Sequence, residues 1–64
     1  MKLKTTICVT DPDYFSSELH SEILEINSNN VDNELIIIEF FKKWDKKDKY
    51  TKVYALGVLN VEVL

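Results

Sequence analysis

Residues 34–43 read Glu34-Leu35-Ile36-Ile37-Ile38-Glu39-Phe40-Phe41-Lys42-Lys43. β-Branched and aromatic side chains suit a pleated surface, so this is the most β-prone run in the chain. Reading it as a strand decides the fold expected for everything else. A second β-prone run, Tyr50 to Leu64, follows it. Between the two lies Asp45-Lys46-Lys47-Asp48-Lys49, a polar turn of a length common in hairpins. If Trp44 pairs with Tyr50, Lys42 faces Lys52, Phe40 faces Tyr54, Ile38 faces Leu56 and Ile36 faces Val58. One face then carries Ile36, Ile38, Phe40, Trp44, Tyr50, Tyr54, Leu56 and Val58. The other carries Leu35, Ile37, Phe41, Val53, Ala55, Leu59 and Val61, with Gly57 opposite Ile37. A loop one residue shorter flips this pairing, yet both faces stay apolar.

Upstream, residues 2–10 alternate. Leu3, Thr5, Ile7 and Val9 point one way and Lys2, Lys4, Thr6, Cys8 and Thr10 the other, which predicts a half-buried strand. Asp11-Pro12-Asp13 reads as a helix start, with Asp11 as cap and Pro12 at the first helical position. Phe15, Leu19, Ile23 and Ile26 then recur at spacings of four, four and three, an apolar helical stripe. Asn27-Ser28-Asn29-Asn30 ends that helix. The expectation is one α+β domain, residues 1–64, in the order β-α-β-β, with one helix packed on a three-stranded, largely antiparallel sheet. The small residues Ala55 and Gly57 mark the hairpin face that the helix approaches.

A short chain buries a small fraction of its surface and commonly needs a disulfide, a metal or an oligomer. Cys8 is the only cysteine and His20 the only histidine, so neither an internal disulfide nor a Cys/His zinc site is expected. One helix covers one hairpin face. The other, with Ile36, Ile38, Phe40, Leu56 and Val58, is expected to be covered by a second copy, because contiguous apolar patches usually mark interfaces. No window has the length of a membrane helix, and the N-terminus lacks the apolar core of a signal peptide. With the lone thiol this leads to the expectation of a cytoplasmic protein.

The formal net charge of −3 argues against a general nucleic-acid binder. Its distribution is uneven. Six of the eight lysines lie in residues 42–52, which with Asp45 and Asp48 carry +4; the remainder carries −7. This basic hairpin tip is the best candidate binding site: Lys42, Lys43, Trp44, Lys46, Lys47, Lys49, Tyr50, Lys52 and Tyr54. The lysines supply charge for phosphate and the aromatics could stack on a base. The plainer alternative is a solubilising turn whose lysines block edge pairing. Glu39 reads as a rim or paired carboxylate ahead of a buried base, His20 as a solvated helix residue, and Cys8 as a spectator. Gly57 is the only glycine, so no glycine-rich phosphate loop is present. The lack of arginine suggests an AT-rich coding genome, such as a low-GC bacterium or its phage.

Strand, helix and long hairpin resemble dodecin, a flavin-binding oligomer, in element order, with Trp44 matching its tryptophan in type only. The chain is also similar in pattern to a small uncharacterised sporulation-protein family of spore-forming bacteria. There the elements correspond to Leu3–Val9, Phe15–Ile26, Leu35–Phe41 and Tyr54–Val63. That family implies no catalytic residues. Tautomerases share the order but need a proline after Met1, where this chain has Lys2. The two-faced hairpin and its lysine- and aromatic-rich tip lead to the expected function, a non-enzymatic, homo-oligomeric binding protein without a cofactor, sequestering an anionic small ligand such as a nucleotide. The alternative is a protein–protein interaction or inhibitor module that docks its sheet on a larger partner.

Overall fold

Strand β1 (Lys2–Asp11) forms as its alternation predicts, and Leu3, Thr5, Ile7, Val9 and Asp11 are all buried on one face. The computed structural model describes residues 1–64, and the elements after β1 depart from the expected order. They are β2 (Ser16–Glu25), α1 (Asn33–Lys43) and β3 (Ala55–Val63). The α+β class holds; the order is β-β-α-β, not β-α-β-β. The sheet order is β2-β1-β3, with both neighbours antiparallel to β1.

The expected helix at 12–26 is a hairpin turn and a strand. Asp11 does accept from the Asp13 N–H at 2.8 Å, but as an Asx-turn. Phe15 then closes the turn from the left-handed region, at φ 51°, with its N–H donating to the Asp11 carbonyl. The same carboxylate–amide contact serves a helix cap and a turn, so Asp-Pro-Asp alone does not separate them. Nor does the spacing of Leu19 and Ile23: four residues is a multiple of the strand period and also about one helical turn. Both side chains lie on the outer face of β2 and are exposed, whereas Leu24, opposite Leu3, is buried on the inner face.

The Leu35–Phe41 run is helical. Asp32 caps it by accepting from the Leu35 N–H at 2.8 Å, Glu34 lies in the first turn and Lys42 and Lys43 in the last. These charges complement the helix dipole. Ile36, Phe40 and Trp44, spaced by four, are buried against Leu3, Ile7, Val9, Leu24 and Ile26. Three isoleucines cost a helix roughly 1 kcal/mol in propensity relative to alanine. Full burial of Phe40 alone contributes about 1.5–3 kcal/mol, so packing overrides propensity.

Several sequence expectations change with this placement. Ile36 and Phe40 are core residues under the helix and not an oligomer face, and Leu56 and Val58 are partly buried against the same core. Only Ile38, 46 % exposed, stays on the surface. Ala55 and Gly57 do not meet the helix. Leu56 and Val58 pair with buried Val9 and Ile7, which puts Gly57, opposite Cys8, on the outer face, where a Cβ would meet nothing within 4 Å.

The helix is also short against the sheet. Eleven helical residues span about 16 Å and ten strand residues about 33 Å. Trp44, Tyr54 and the turns of 44–54 extend the cover towards the Asp11 end of β1. At the other end the inner face of β3 is left open: Val61 is 38 % and Val63 71 % exposed. A bulge between Thr6 and Ile7 of the β1 ladder leaves Leu59 without a partner there.

Candidate functional site

The lysine-rich segment is not a hairpin tip. It ends α1 and then winds through turns towards β3. Most of its lysines are engaged within the chain. Lys42 pairs with Glu39 at 3.1 Å, one helical turn back, which settles Glu39 as a surface ion-pair partner. Lys43 donates to the Ile23 carbonyl of β2. Lys49 donates to the Phe41 and Trp44 carbonyls at the end of α1, where unpaired carbonyls collect. Its ammonium also lies over the Phe41 and Tyr50 rings, at 5.3 and 5.0 Å from their centroids. Lys46 lies 5.8 Å from the Tyr54 ring centroid. Lys47 is exposed.

Lys52 holds the most elaborate cluster. Its Nζ is 3.0 Å from Asp13, 3.2 Å from Asp48 and 3.6 Å from Asp11, and it lies over the Tyr14 ring. The Tyr54 hydroxyl donates to the other oxygen of Asp48. The cluster fastens the 44–54 segment to the β1–β2 turn. The hydrogen bond to Asp13, then that to Asp48, raises the Lys52 pKa above its ordinary value. The hydrogen bond from Tyr54 is the main cause that lowers Asp48. Burial, then the Asp48 carboxylate, pushes Tyr54 up to about 12. These shifts are those of a structural clamp: the charges satisfy one another.

Nor are the aromatics free platforms. Trp44 is buried, stacked with Phe40 at 6.0 Å and edge-on to Tyr54 at 4.8 Å. Tyr50 packs edge-on against Phe41 at 5.5 Å and keeps its outer side exposed. Beside Trp44 lies a cleft lined by Val9, Asp11, Ser16, Glu18 and Lys46, of about 20 Å³. That is room for one water, against roughly 300–1,000 Å³ for a small-molecule site.

His20 is not on a helix surface. It stands on the inner face of β2 opposite Ile7, half-buried, with its ring 6.0 Å from Phe40 and 6.1 Å from Trp44. Its Nε2 is 3.3 Å from a Glu18 oxygen without hydrogen-bond geometry to it. Cys8 is a free, half-buried thiol between Leu19 and Gly57.

The two sheet edges differ. On β2, directly opposite residues share a face, so Glu18, His20 and Glu22 point inward beside Val9, Ile7 and Thr5. Inward charges and a third glutamate, Glu25, protect that edge against strand addition. Strand β3, Ala-Leu-Gly-Val-Leu-Asn-Val-Glu-Val, has no lysine and no proline, and Glu62 is its only charge. Every residue from Leu59 to Leu64 is exposed. Of these, the sequence placed only Leu59 and Val61 on an apolar hairpin face. The available signal was the charge pattern: the lysines stop at Lys52, before β3 begins.

No helix is long and apolar enough to cross a membrane. A scan against protein-family models, a search of curated proteins and a search of solved structures each return no match for this chain.

Proposed function

We propose that this protein is a non-enzymatic protein–protein interaction module that works by strand addition at the edge of β3. The observation that carries the reading is the contrast between the two edges: β2 is guarded by charge, and β3 presents an apolar, exposed and unpaired margin. A free edge offers a row of backbone donors and acceptors, and alternate side chains set specificity. Leu59 is 60 % exposed and Val63 71 %, so apolar contact would reinforce the backbone bonds. The lysine segment supports the anionic-ligand reading less well, because Lys42, Lys43, Lys49 and Lys52 already hold partners within the chain.

A photo-cross-linking amino acid placed at Leu59 or Val61, and separately at Leu19 or Ile23 on the outer face of β2, tests the reading in the producing cell. Discrete protein adducts from the β3 positions and none from the β2 positions are expected. Adducts from Leu19 and Ile23 alone would move the docking site to the outer face and end the edge model.

A further inference from the structure

We infer that the strand added to β3 is the β3 of a second copy, antiparallel about a two-fold axis at Val61; this rests on the edge-docking reading above. A two-fold pairing of a strand with itself is fixed by one number, the residue at its centre. Four centres fall between Leu59 and Glu62, beyond most of the helix cover. A centre at Glu62 puts the one charge of the strand against its own copy, and like charges directly opposite are destabilising. A centre at Leu59 sets Glu62 against Leu56, and a centre at Asn60 sets it against Val58. Each sets an outer-face carboxylate opposite an inner-face residue, because the bulge at Leu59 breaks the alternation, whereas directly opposite residues of an antiparallel pair share a face. A centre at Val61 places Asn60 opposite the partner's Glu62 on the outer face, twice by symmetry. There the Asn60 amide can donate to the carboxylate. Within one chain the same two side chains already meet along the strand, where the Asn60 Nδ2 lies 3.4 Å from a Glu62 oxygen. The same register brings Val61 against Val61, and Leu59 against Val63, all exposed in the single chain. Bulged Leu59 thereby gains the neighbour that β1 does not provide.

The absence of lysine from β3 fits a like partner better than an acidic or basic one: two copies meet with one carboxylate each, and each carboxylate finds an amide. The pairing joins two sheets into one of six strands whose outer edges are the guarded β2 strands, so growth stops at the dimer. Five paired residues, Leu59 to Val63, span about 17 Å, which is a small interface. The dimer therefore belongs to the concentration-dependent class and not to the obligate one.

Sedimentation equilibrium of the full chain over a wide concentration series tests this. Dimerisation is expected, weakened about tenfold or more by Val61→Lys. Asn60→Lys should tighten it severalfold and Asn60→Glu weaken it severalfold, opposite signs that a purely monomeric effect does not produce. In a Cys8→Ser background, Val61→Cys should cross-link to itself and Leu59→Cys should not. A wild-type chain that stays monomeric throughout, while the cross-linker at Val61 still captures another protein, overturns self-pairing and leaves the edge reading standing. A dimer indifferent to Val61→Lys and broken by Leu19→Lys overturns both. A dimer weakened by Val61→Lys in which Leu59→Cys cross-links to itself and Val61→Cys does not overturns the register.

Discussion

Ile36 and Ile38 are two residues apart, and their surroundings depend on what kind of backbone joins them. In a strand they share a face; in a helix they point about 200° apart. The helix buries Ile36 and leaves Ile38 46 % exposed. Ile36→Lys should therefore unfold the chain, because an unpaired buried ammonium costs several kcal/mol. A chain of this length has roughly 3–10 kcal/mol in total. Ile38→Lys should leave the melting temperature nearly unchanged. Far-ultraviolet circular dichroism with thermal melting of both variants checks the pair. Phe40→Ala, at a position with no exposure, should cost about 3–5 kcal/mol in urea unfolding. None of these environments was legible residue by residue. Ile36-Ile37-Ile38 is β-prone by composition, and only the partners at Leu3, Ile7 and Leu24 turn its four-residue spacing into a buried stripe.

At the scale of elements, two similar stretches of sequence took two different structures. Asp11-Pro12-Asp13 and Asn30-Val31-Asp32-Asn33 both offer a capping aspartate. Asp32 caps a helix and Asp11 closes a hairpin. Asp32→Ala should cost about 1 kcal/mol, measured by denaturant unfolding. The hairpin carries its own test. Phe15 is 89 % exposed and adopts φ 51°, so it contributes little packing and bears left-handed strain. Phe15→Gly should raise stability by up to about 1 kcal/mol, since glycine takes that conformation without steric cost. A loss of stability would show that the exposed ring supports the turn. β1 was legible up to Thr10, because alternation over nine residues has one reading, and only its last residue, Asp11, was read instead as a helix cap. β2 was not, since its inner face holds Glu18, His20 and Glu22 and does not look like a core-facing strand. The observed order β-β-α-β also differs from the β-α-β-β order on which the likeness to dodecin rests.

For the whole molecule, the Lys52 cluster ties the long 44–54 connection to the β1–β2 turn and sets the pH range of stability. Asp48 titrates below its ordinary value of 3.8, so the unfolded state takes up the proton first as pH falls. Its contribution is full above about pH 5 and is lost as the pH falls through the folded value. Tyr54 is raised from 10.0 to about 12 and Lys52 is raised above 10.5, so the unfolded state releases those protons first. Stability should therefore be flat between about pH 5 and 9 with respect to this cluster and decline from about pH 10 upwards. Thermal melts across that range check it, and Lys52→Met should lower the plateau while the part of the alkaline decline due to Tyr54 remains. A wild-type profile flat through about pH 11.5 would remove the clamp from the account.

By itself the sequence determined the α+β class, the strand β1 though not its central place, the deficit of burial in so short a chain, and a lysine-rich segment set apart from an acidic remainder. Local patterns suffice for these because each has one physical reading: strict alternation, length, and charge counting. Tertiary structure alone decided which apolar run became the helix, which lysines were left for solvent, and which sheet edge stayed open. The reason is the same in each case. A spacing of four fits a helix and a strand alike, and a lysine's partner can lie dozens of residues away, as Asp11 and Asp13 do from Lys52. Only the burial of Phe40 and Trp44 on β1 chooses among them. Once it does, the lysines turn inward to their carboxylates and carbonyls, and β3 is left as the margin that carries a single charge.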